Sequence, residues 1–431
     1  MSVQRPALRP FLEPVPIRLP EAEGQPLFLI RDPFRLSEQQ LVVPPAGVAV
    51  LQLLDGSRTV AEVQEEFARR YGVQPPAQEV TTLVDRLAEA KLLAGPHLRA
   101  CLEEFARQPV REPACIGSYP GEPAALRSFL DAQFARAGGP GGGPESAPAG
   151  APVRGVIAPH IDPERGGHAY AWAWRELAAH CEADLFVIFG TSHAGTGPID
   201  GDPATRAARY ALTRKSYRTP LGDLPTDAEL VDRLLEAYRG PDDLFAGEFH
   251  HRGEHSIEFQ ALFLAHLLAP RRPVRILPVL CGGLHDLRGG APTDDEGFLA
   301  FHEALRAALA EIPPERVAFI ASIDLAHVGA QFHQPPADRT RVEEAAAADR
   351  ETLRLALEER DAAAVHADLE ADLERPEPEQ RNVCGHSALV ALVHALSLGG
   401  APLRGELLTY DAWHDGASAV GFAAGVYREE A

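Results

Sequence analysis

The chain has 431 residues, 45% of them hydrophobic, and a formal net charge of −21, which supports two or three domains and at least one sizeable core. The acidic balance, without a strong Lys/Arg cluster, argues against nucleic-acid partners, because phosphate binding needs a basic face. No apolar run approaches the ~20 residues that cross a bilayer, so no membrane partner is expected. The opening MSVQRPALRPFLEP lacks the apolar core of a secretory signal, and a cytoplasmic protein is expected. Five scattered cysteines, Cys101, Cys115, Cys181, Cys281 and Cys384, are an odd count that fits no disulfide framework; most are expected to be small buried hydrophobes.

In chain order, strand-like LFLIRDP (27–33) and LVVPP (41–45) come first. The apolar GVAVLQLLDG follows, then a helix VAEVQEEFARRYG capped by Thr59, then an amphipathic helix over about 77–93. Residues 1–100 therefore read as a small α+β module of two strands and three helices. Within it, LLDGSRTVAEVQEEFARRYG and LVDRLAEAKLL resemble the PqqD-like, winged-helix-related domains over about 25–95. That resemblance implies a peptide substrate bound beside a radical-chemistry enzyme. A small structural or dimerising appendage fits the same pattern.

Residues 101–431 form the second expected domain. GSYPGEPAALRSFLDAQFARA predicts an entry turn at Ser118 to Pro120 and a helix from Pro123 to Ala135; the Gly/Pro-rich 137–150 predicts a flexible loop. From 153 onward apolar strands alternate with helices: VRGVIAP, helix 168–180, DLFVIFG, helices 226–239 and 255–268, VRILPVL, helix 297–311, VAFIASI, helices 341–358 and 385–398. This alternation predicts an α/β fold with a parallel or mixed central sheet. GELLTYDAW and AVGFAAGVYRE read as closing antiparallel strands.

Three stretches set a metal-capable side chain where an apolar run stops or a helix begins: His160 in VIAPHID, His193 in VIFGTSH and Cys384 in NVCGHSALVALVHAL. Strand-end loops of an open α/β sheet converge on one crevice, so residues far apart in sequence can meet there. Cys384 precedes a helix whose dipole favours thiolate. Judged alone, each histidine also fits a loop or cap residue, and the cysteine a buried, inert thiol. Asp324 and His327 close VAFIASIDLAH as a polar pair suited to acid/base work. His255 opens the helix EHSIEFQALFLAHLL with Glu254 and Glu258; the two acids read as ordinary first-turn complements to the helix dipole. His250 and His251 read as solvated loop residues. No HExxH, CxxC, P-loop or GxGxxG pattern occurs.

The ordered set GSYPGEPAAL, APHIDPERGGHAYAWAWREL, FVIFGTSHAG, SYRTPLGDLPTD, EHSIEFQALFL, ILPVLCGG, FIASIDLAHVG and VCGHSALVALVHAL resembles the MEMO family over about residues 114–428. That family's fold is related to the class III, LigB-type extradiol dioxygenases. The resemblance implies metal-ligand positions at His160, His193 and Cys384 and a catalytic-type histidine at His327, with Asp324 and His255 in flanking motifs. Two departures stand out: Ser118 replaces the usual Trp of the entry motif, and Ile161-Asp162-Pro163-Glu164 replaces an Ala-Gly-Tyr type loop, removing an aromatic and adding two carboxylates.

Two histidines with a thiolate in place of a carboxylate suit one mononuclear ion, Fe(II) first, with copper or zinc as alternatives. The leading expectation is a metal-dependent, dioxygenase-like oxidoreductase acting on a small or peptide-borne substrate. The resemblance adds radical SAM and AMMECR1-like partners. The alternatives are a non-catalytic scaffold that captures peptide or partner segments, and a cysteine hydrolase using Cys384 and His327.

Overall fold

The computed structural model describes residues 4–17, 26–34, 36–37, 39–199, 207–400 and 402–430. The chain divides into two compact units, 1–108 and, apart from 198–205, 109–431. The division falls at 108 rather than 100 because a helix continues across the expected boundary.

The first unit contains β1 (Glu13–Ile17), β2 (Leu27–Arg31) and β3 (Leu41–Val43), an antiparallel sheet in that order. Four helices follow: α1 (Pro45–Leu51), α2 (Val60–Tyr71), α3 (Ala77–Glu89) and α4 (Pro96–Arg107). Strand β1 has no counterpart in the sequence reading because EPVPI carries two prolines. Proline lacks a ladder donor, but an edge strand tolerates it. Helix α2 begins with a full capping box, the Thr59 side chain accepting from Glu62 N and the Glu62 carboxylate from Thr59 N. Its Val63 and Phe67 meet Val80, Val84 and Leu87 of α3 in one core with Ile30 and Leu41.

The second unit opens with β4 (Val110–Arg111) and α5 (Pro123–Ala135), then β5 (Val153–Ala158), α6 (Pro163–His180) and β6 (Leu185–Thr191). Short strands β7 (Tyr210–Leu212), β8 (Ser216–Thr219) and β9 (Gly222–Leu224) precede α7 (Ala228–Ala237) and α8 (Ser256–Phe263). Next come β10 (Arg275–Cys281), α9 (Glu296–Leu309), β11 (Val317–Ser322), β12 (His327–Gly329), α10 (Arg339–Arg354), α11 (Ala362–Leu373), α12 (His386–Leu398), β13 (Leu403–His414) and β14 (Ser418–Glu429). Helices α8 and α10 each run on into a π-helical turn.

The large sheet has the order β12-β14-β5-β11-β6-β10-β7, with β13 on the other side of β14. Strands β5, β11, β6 and β10 are mutually parallel, and the β13–β14 hairpin is antiparallel, as is its pairing with β5. Helices cover both faces, which is why the parallel strands read as unbroken apolar runs. Leu185, Val187 and Phe189 of β6 pack with α7, α9 and α12; the alternate Phe186 and Ile188 pack with α5, α6 and α8. Among the described residues no helix is long and apolar enough to cross a membrane.

Three local expectations change. Helix α6 starts at Pro163, earlier than 168: Asp162 is its N-cap, accepting from Glu164 N at 2.8 Å, and proline suits the first helical position. Stretch 137–150, expected as a flexible loop, is tied to the domain. Gly138 O accepts from Trp172 Nε1 at 2.9 Å, Pro140 O accepts from Arg175 Nη1 at 3.0 Å, and Pro144 is buried. Composition shows only that the stretch lacks a core of its own. The third change is α11, which the periodicity did not single out: its mean face is weakly contrasted, yet Val365 and Leu369 are buried in the core.

Candidate metal centre

The crevice lies beyond the carboxyl ends of β5, β6 and β11, where an open α/β sheet places ligand-binding loops. Pro159 and His160 follow β5, His193 follows β6, and Asp324 follows β11. The helix starts of α8 and α12 bring Glu254, His255 and Cys384 to the same place.

A buried hydrogen-bond web fixes these tips. Gln260 Nε2 donates to Pro159 O and to Ser322 Oγ, both at 2.7 Å. Ser322 Oγ donates to Ser256 O at 2.6 Å, and Ser256 Oγ to Thr191 O at 2.8 Å. Three strand ends and the first turn of α8 are thereby tied together. Gly190 permits that approach, since a Cβ there would stand 2.5 Å from Ile257 Cγ1 and 2.7 Å from Ser256 Oγ.

The structure brings His160, His193 and Cys384 together, with one ligand atom of each lying within 4.8 Å of the others. His160 Nε2 stands 3.2 Å from Cys384 Sγ, and the His160 and His193 rings are 4.9 Å apart. Atoms bound to one ion at ~2.0 Å for nitrogen and ~2.3 Å for sulfur have about this mutual spacing. The outer nitrogens are also suitably committed. His160 Nδ1–H donates to Ser322 O at 3.0 Å, and His193 Nδ1 lies 3.1 Å from both Glu254 oxygens. Each imidazole is therefore oriented by a partner behind it, the arrangement that fixes tautomer and direction in metal-ligating histidines. The donor set and its supports fit a single borderline or soft ion.

Glu254 is the residue that sequence reasoning assigned to helix-dipole duty, and the structure corrects this. Its carboxylate accepts from the backbone N of His193 at 2.9 Å, His255 at 2.8 Å and Ser256 at 3.1 Å, besides facing the His193 ring. Burial alone would raise its pKa, but the His193 and His255 imidazoles and these bonds hold it well below the usual range. A first-turn acid and a histidine-orienting acid look alike in sequence; the adjacent Glu-His pair was the available signal.

His255 stacks on His193 at 4.8 Å and sits 5.3 Å from His160. With Glu254 and His193 it forms a second convergent group. Asp324 is buried beside the cluster, its Oδ1 accepting from His160 N at 3.0 Å and its Oδ2 lying 3.6 Å from His160 Nε2. Burial raises its pKa, against the opposing pull of His327 and the His160 and Ile161 amides. His327 opens β12, its Nδ1–H donating to Leu325 O at 2.9 Å, and burial lowers its pKa. Asp324 thus braces the His160 loop, while its influence on His327 is electrostatic.

The Cys384 thiol titrates near pH 7. Burial pushes it up, but the His160 and His193 imidazoles outweigh burial and bring it down to about 7. Opposite it, burial would depress His193, yet Glu254 and the Cys384 sulfur hold that imidazole well above its ordinary value. Gly385 closes the approach of α12: a Cβ would meet Ile323 Cβ at 2.5 Å and Asp324 O at 2.6 Å.

Other expectations resolve differently. Glu258 is structural, as its first-turn position suggested, but as half of a buried ion pair with Arg111, accepting also from Tyr119 Oη and from the amides of Ala114 and Cys115. His250 and His251, expected to be solvated, are buried. A 3-10 turn over Glu248–Arg252 tucks them inward, where His250 Nε2 meets Gly197 O at 2.7 Å and His251 bridges Tyr217 Oη at 2.7 Å and Ala211 O at 3.0 Å. The carboxylates of the departed loop stay out of the cluster: Asp162 is spent on the α6 cap and Glu164 is exposed. Cys115, Cys181 and Cys281 are buried free thiols.

A mixed α/β sheet whose strand-end crevice gathers two histidines and a cysteine, with a carboxylate behind one imidazole, defines the class. The family model for Memo-like protein matches residues 111–426, and this chain belongs to the MEMO family. A second model, coenzyme PQQ synthesis protein D (PqqD), matches residues 38–93. A MEMO1 family protein from Aquifex aeolicus is 26% identical over 90% of this chain and 92% of its own length. One from Methanopyrus kandleri is 29% identical over 74% of this chain and 99% of its own, and one from Thermus thermophilus 32% identical over 67% and 77%.

Proposed function

We propose that His160, His193 and Cys384 hold one mononuclear non-haem metal ion, Fe(II) first with copper or zinc as alternatives, and that the protein is a metal-dependent oxidoreductase. The observation that carries this reading is the convergence of two imidazoles on one sulfur, each imidazole already oriented from behind by Ser322 O or Glu254. When bound, such an ion supplies open positions for redox chemistry beside the protein's own groups. His327, neutral and with its Nδ1–H spent on Leu325 O, presents Nε2 as a proton acceptor. Asp324 keeps the His160 loop in place, and His255 walls the other side of His193.

The likeness of residues 38–93 to PqqD supports a peptide-borne substrate delivered by the N-terminal unit, in a system with radical SAM and AMMECR1-like partners in the cytoplasm. Elemental analysis of untagged protein, repeated on His193→Ala, tests the centre. Metal content unchanged by that substitution removes the reading.

One observation favours a non-catalytic binding role instead, the separate N-terminal unit. In that case Cys384→Ala leaves partner capture intact and no metal-linked turnover appears, whereas the enzyme reading requires Cys384→Ala to abolish turnover.

A further inference from the structure

The side chains of the crevice rest on two different supports. His160 and His193 follow β5 and β6 and are held by the web of Gln260, Ser322 and Glu254. Cys384 and His327 lie on two loops laced to each other. Arg381 O accepts from His327 N, Asn382 Nδ2 donates back to His327 O at 3.2 Å, and Asp324 O accepts from Gly385 N at 3.2 Å. Asn382 takes the left-handed conformation, φ 51°, which asparagine tolerates better than most residues. The sulfur therefore travels with His327, and whatever anchors this pair of loops sets its distance from the imidazoles.

The anchor is a buried ion cluster with α10 and α11. Arg381 Nη1 donates to Asp349 Oδ1 at 3.2 Å and to Thr352 Oγ1 at 3.0 Å, Nε to Asp372 Oδ1 at 3.1 Å, and Nη2 to Asp368 Oδ2 at 3.1 Å. Its backbone N donates to Asp372 Oδ2 at 2.8 Å. The other oxygen of Asp349 accepts from Ala326 N at 3.1 Å and from Tyr410 Oη at 2.9 Å. One fully buried carboxylate thus holds the neighbour of His327 and also the guanidinium at the root of the Cys384 loop. Gly421 makes that reach possible: a Cβ there would stand 2.5 Å from Asp349 Oδ2 and 2.7 Å from Tyr410 Oη. Burial pushes the Asp349 carboxyl up to about 6, against the pull of Arg381 and the Ala326 amide, so it is mostly ionised above that pH. A buried pair adds little net stability over an apolar replacement. Stability alone therefore does not account for this cluster, whereas holding two loops in register does.

Resting on the metal-centre reading, we propose that Asp349 and Arg381 are positioning residues: gripping Ala326 and the 381–384 segment together, they set where Cys384 Sγ and His327 stand relative to His160 and His193. Neither is itself a ligand. Loss of the pair frees the 381–384 segment while both imidazoles keep their own supports, Ser322 O and Glu254. Sulfur ligation then fails first, a signature distinct from the loss of a histidine support.

Titration of the full-length protein with Co(II) tests the assignment, because a thiolate-to-Co(II) charge-transfer band reports sulfur bound to the ion. Asp349→Asn keeps the side-chain shape and removes the charge. In this variant, folded by circular dichroism, the band is expected to be lost or weakened and Co(II) affinity to fall about 10–100-fold, the usual cost of losing a support behind a ligand. In metal-free protein the pH midpoint of Cys384 alkylation, followed by mass spectrometry of its peptide, is expected to rise from about 7, as the sulfur leaves the imidazoles that lower it. A merely structural role lowers the denaturation midpoint and moves neither readout in the folded protein. An unchanged band with affinity within twofold of the parent, or an unmoved alkylation midpoint, overturns the proposal. If the parent takes up no Co(II), the metal-centre reading falls and the alkylation midpoint alone decides the positioning role. Should Asp349→Asn not fold, Arg381→Lys, which keeps the charge but not the planar fork, is judged by the same two readouts.

Discussion

Glu254 grips His193 twice: one carboxylate oxygen accepts from the backbone N at 2.9 Å, and both oxygens lie 3.1 Å from ring Nδ1. The same carboxylate receives the amides of His255 and Ser256. A strand-tip loop and a helix start, 61 residues apart, are therefore locked to one acid.

Removing that acid should loosen the centre without touching a ligand. Glu254→Ala is expected to lower metal affinity about 10–100-fold, the usual cost of losing such a support, measured by competition with a chromophoric chelator. Affinity within twofold of the parent would falsify the orienting role.

The Cys384 thiol offers a pH test on metal-free protein. With a pKa of about 7, thiolate forms as pH rises through that value, so alkylation by iodoacetamide should reach half its plateau near pH 7 and fall roughly tenfold per unit below it. His193→Ala removes one of the groups that lowers the pKa, and the midpoint should move up. Metal should protect the sulfur. Alkylation equally fast with and without metal would instead mark Cys384 as a free nucleophile, the hydrolase alternative.

Gly385 has φ −73°, so alanine is allowed by the backbone and any cost is contact alone. Its Cβ would press on Ile323 and Asp324. Gly385→Ala should destabilise by ~1–3 kcal/mol, as overpacking does, and also displace Cys384. Urea unfolding and metal content check the two parts; full stability with full metal content contradicts the close approach.

Arg111 and Glu258 form a buried pair, and Arg111 also donates to His251 O at 2.8 Å and Glu254 O at 2.7 Å. Arg111→Met leaves an uncompensated buried carboxylate and should cost ~3–5 kcal/mol. The double change Arg111→Met with Glu258→Leu should recover part of that loss. Equal stability of Arg111→Met and the parent in denaturant would show that the pair holds nothing.

The sequence by itself determined the sheet and the placement of its tips. Unbroken apolar runs such as DLFVIFG mark strands buried on both faces, and the histidines that follow them fall in the crevice by the geometry of parallel strands. The helix capped by Thr59 was legible for the same reason: the capping signal is local. What only tertiary structure decided were the roles set by the far side of a gap. Glu254 and Glu258 stand four residues apart at the start of one helix, the first just before it and the second in its first turn, yet one faces His193 and the other Arg111. His250 and His251 sit in a polar stretch but are buried by the turn around them. Burial and ionic partners depend on which surfaces the fold presses together, and side-chain order along the chain does not carry that information.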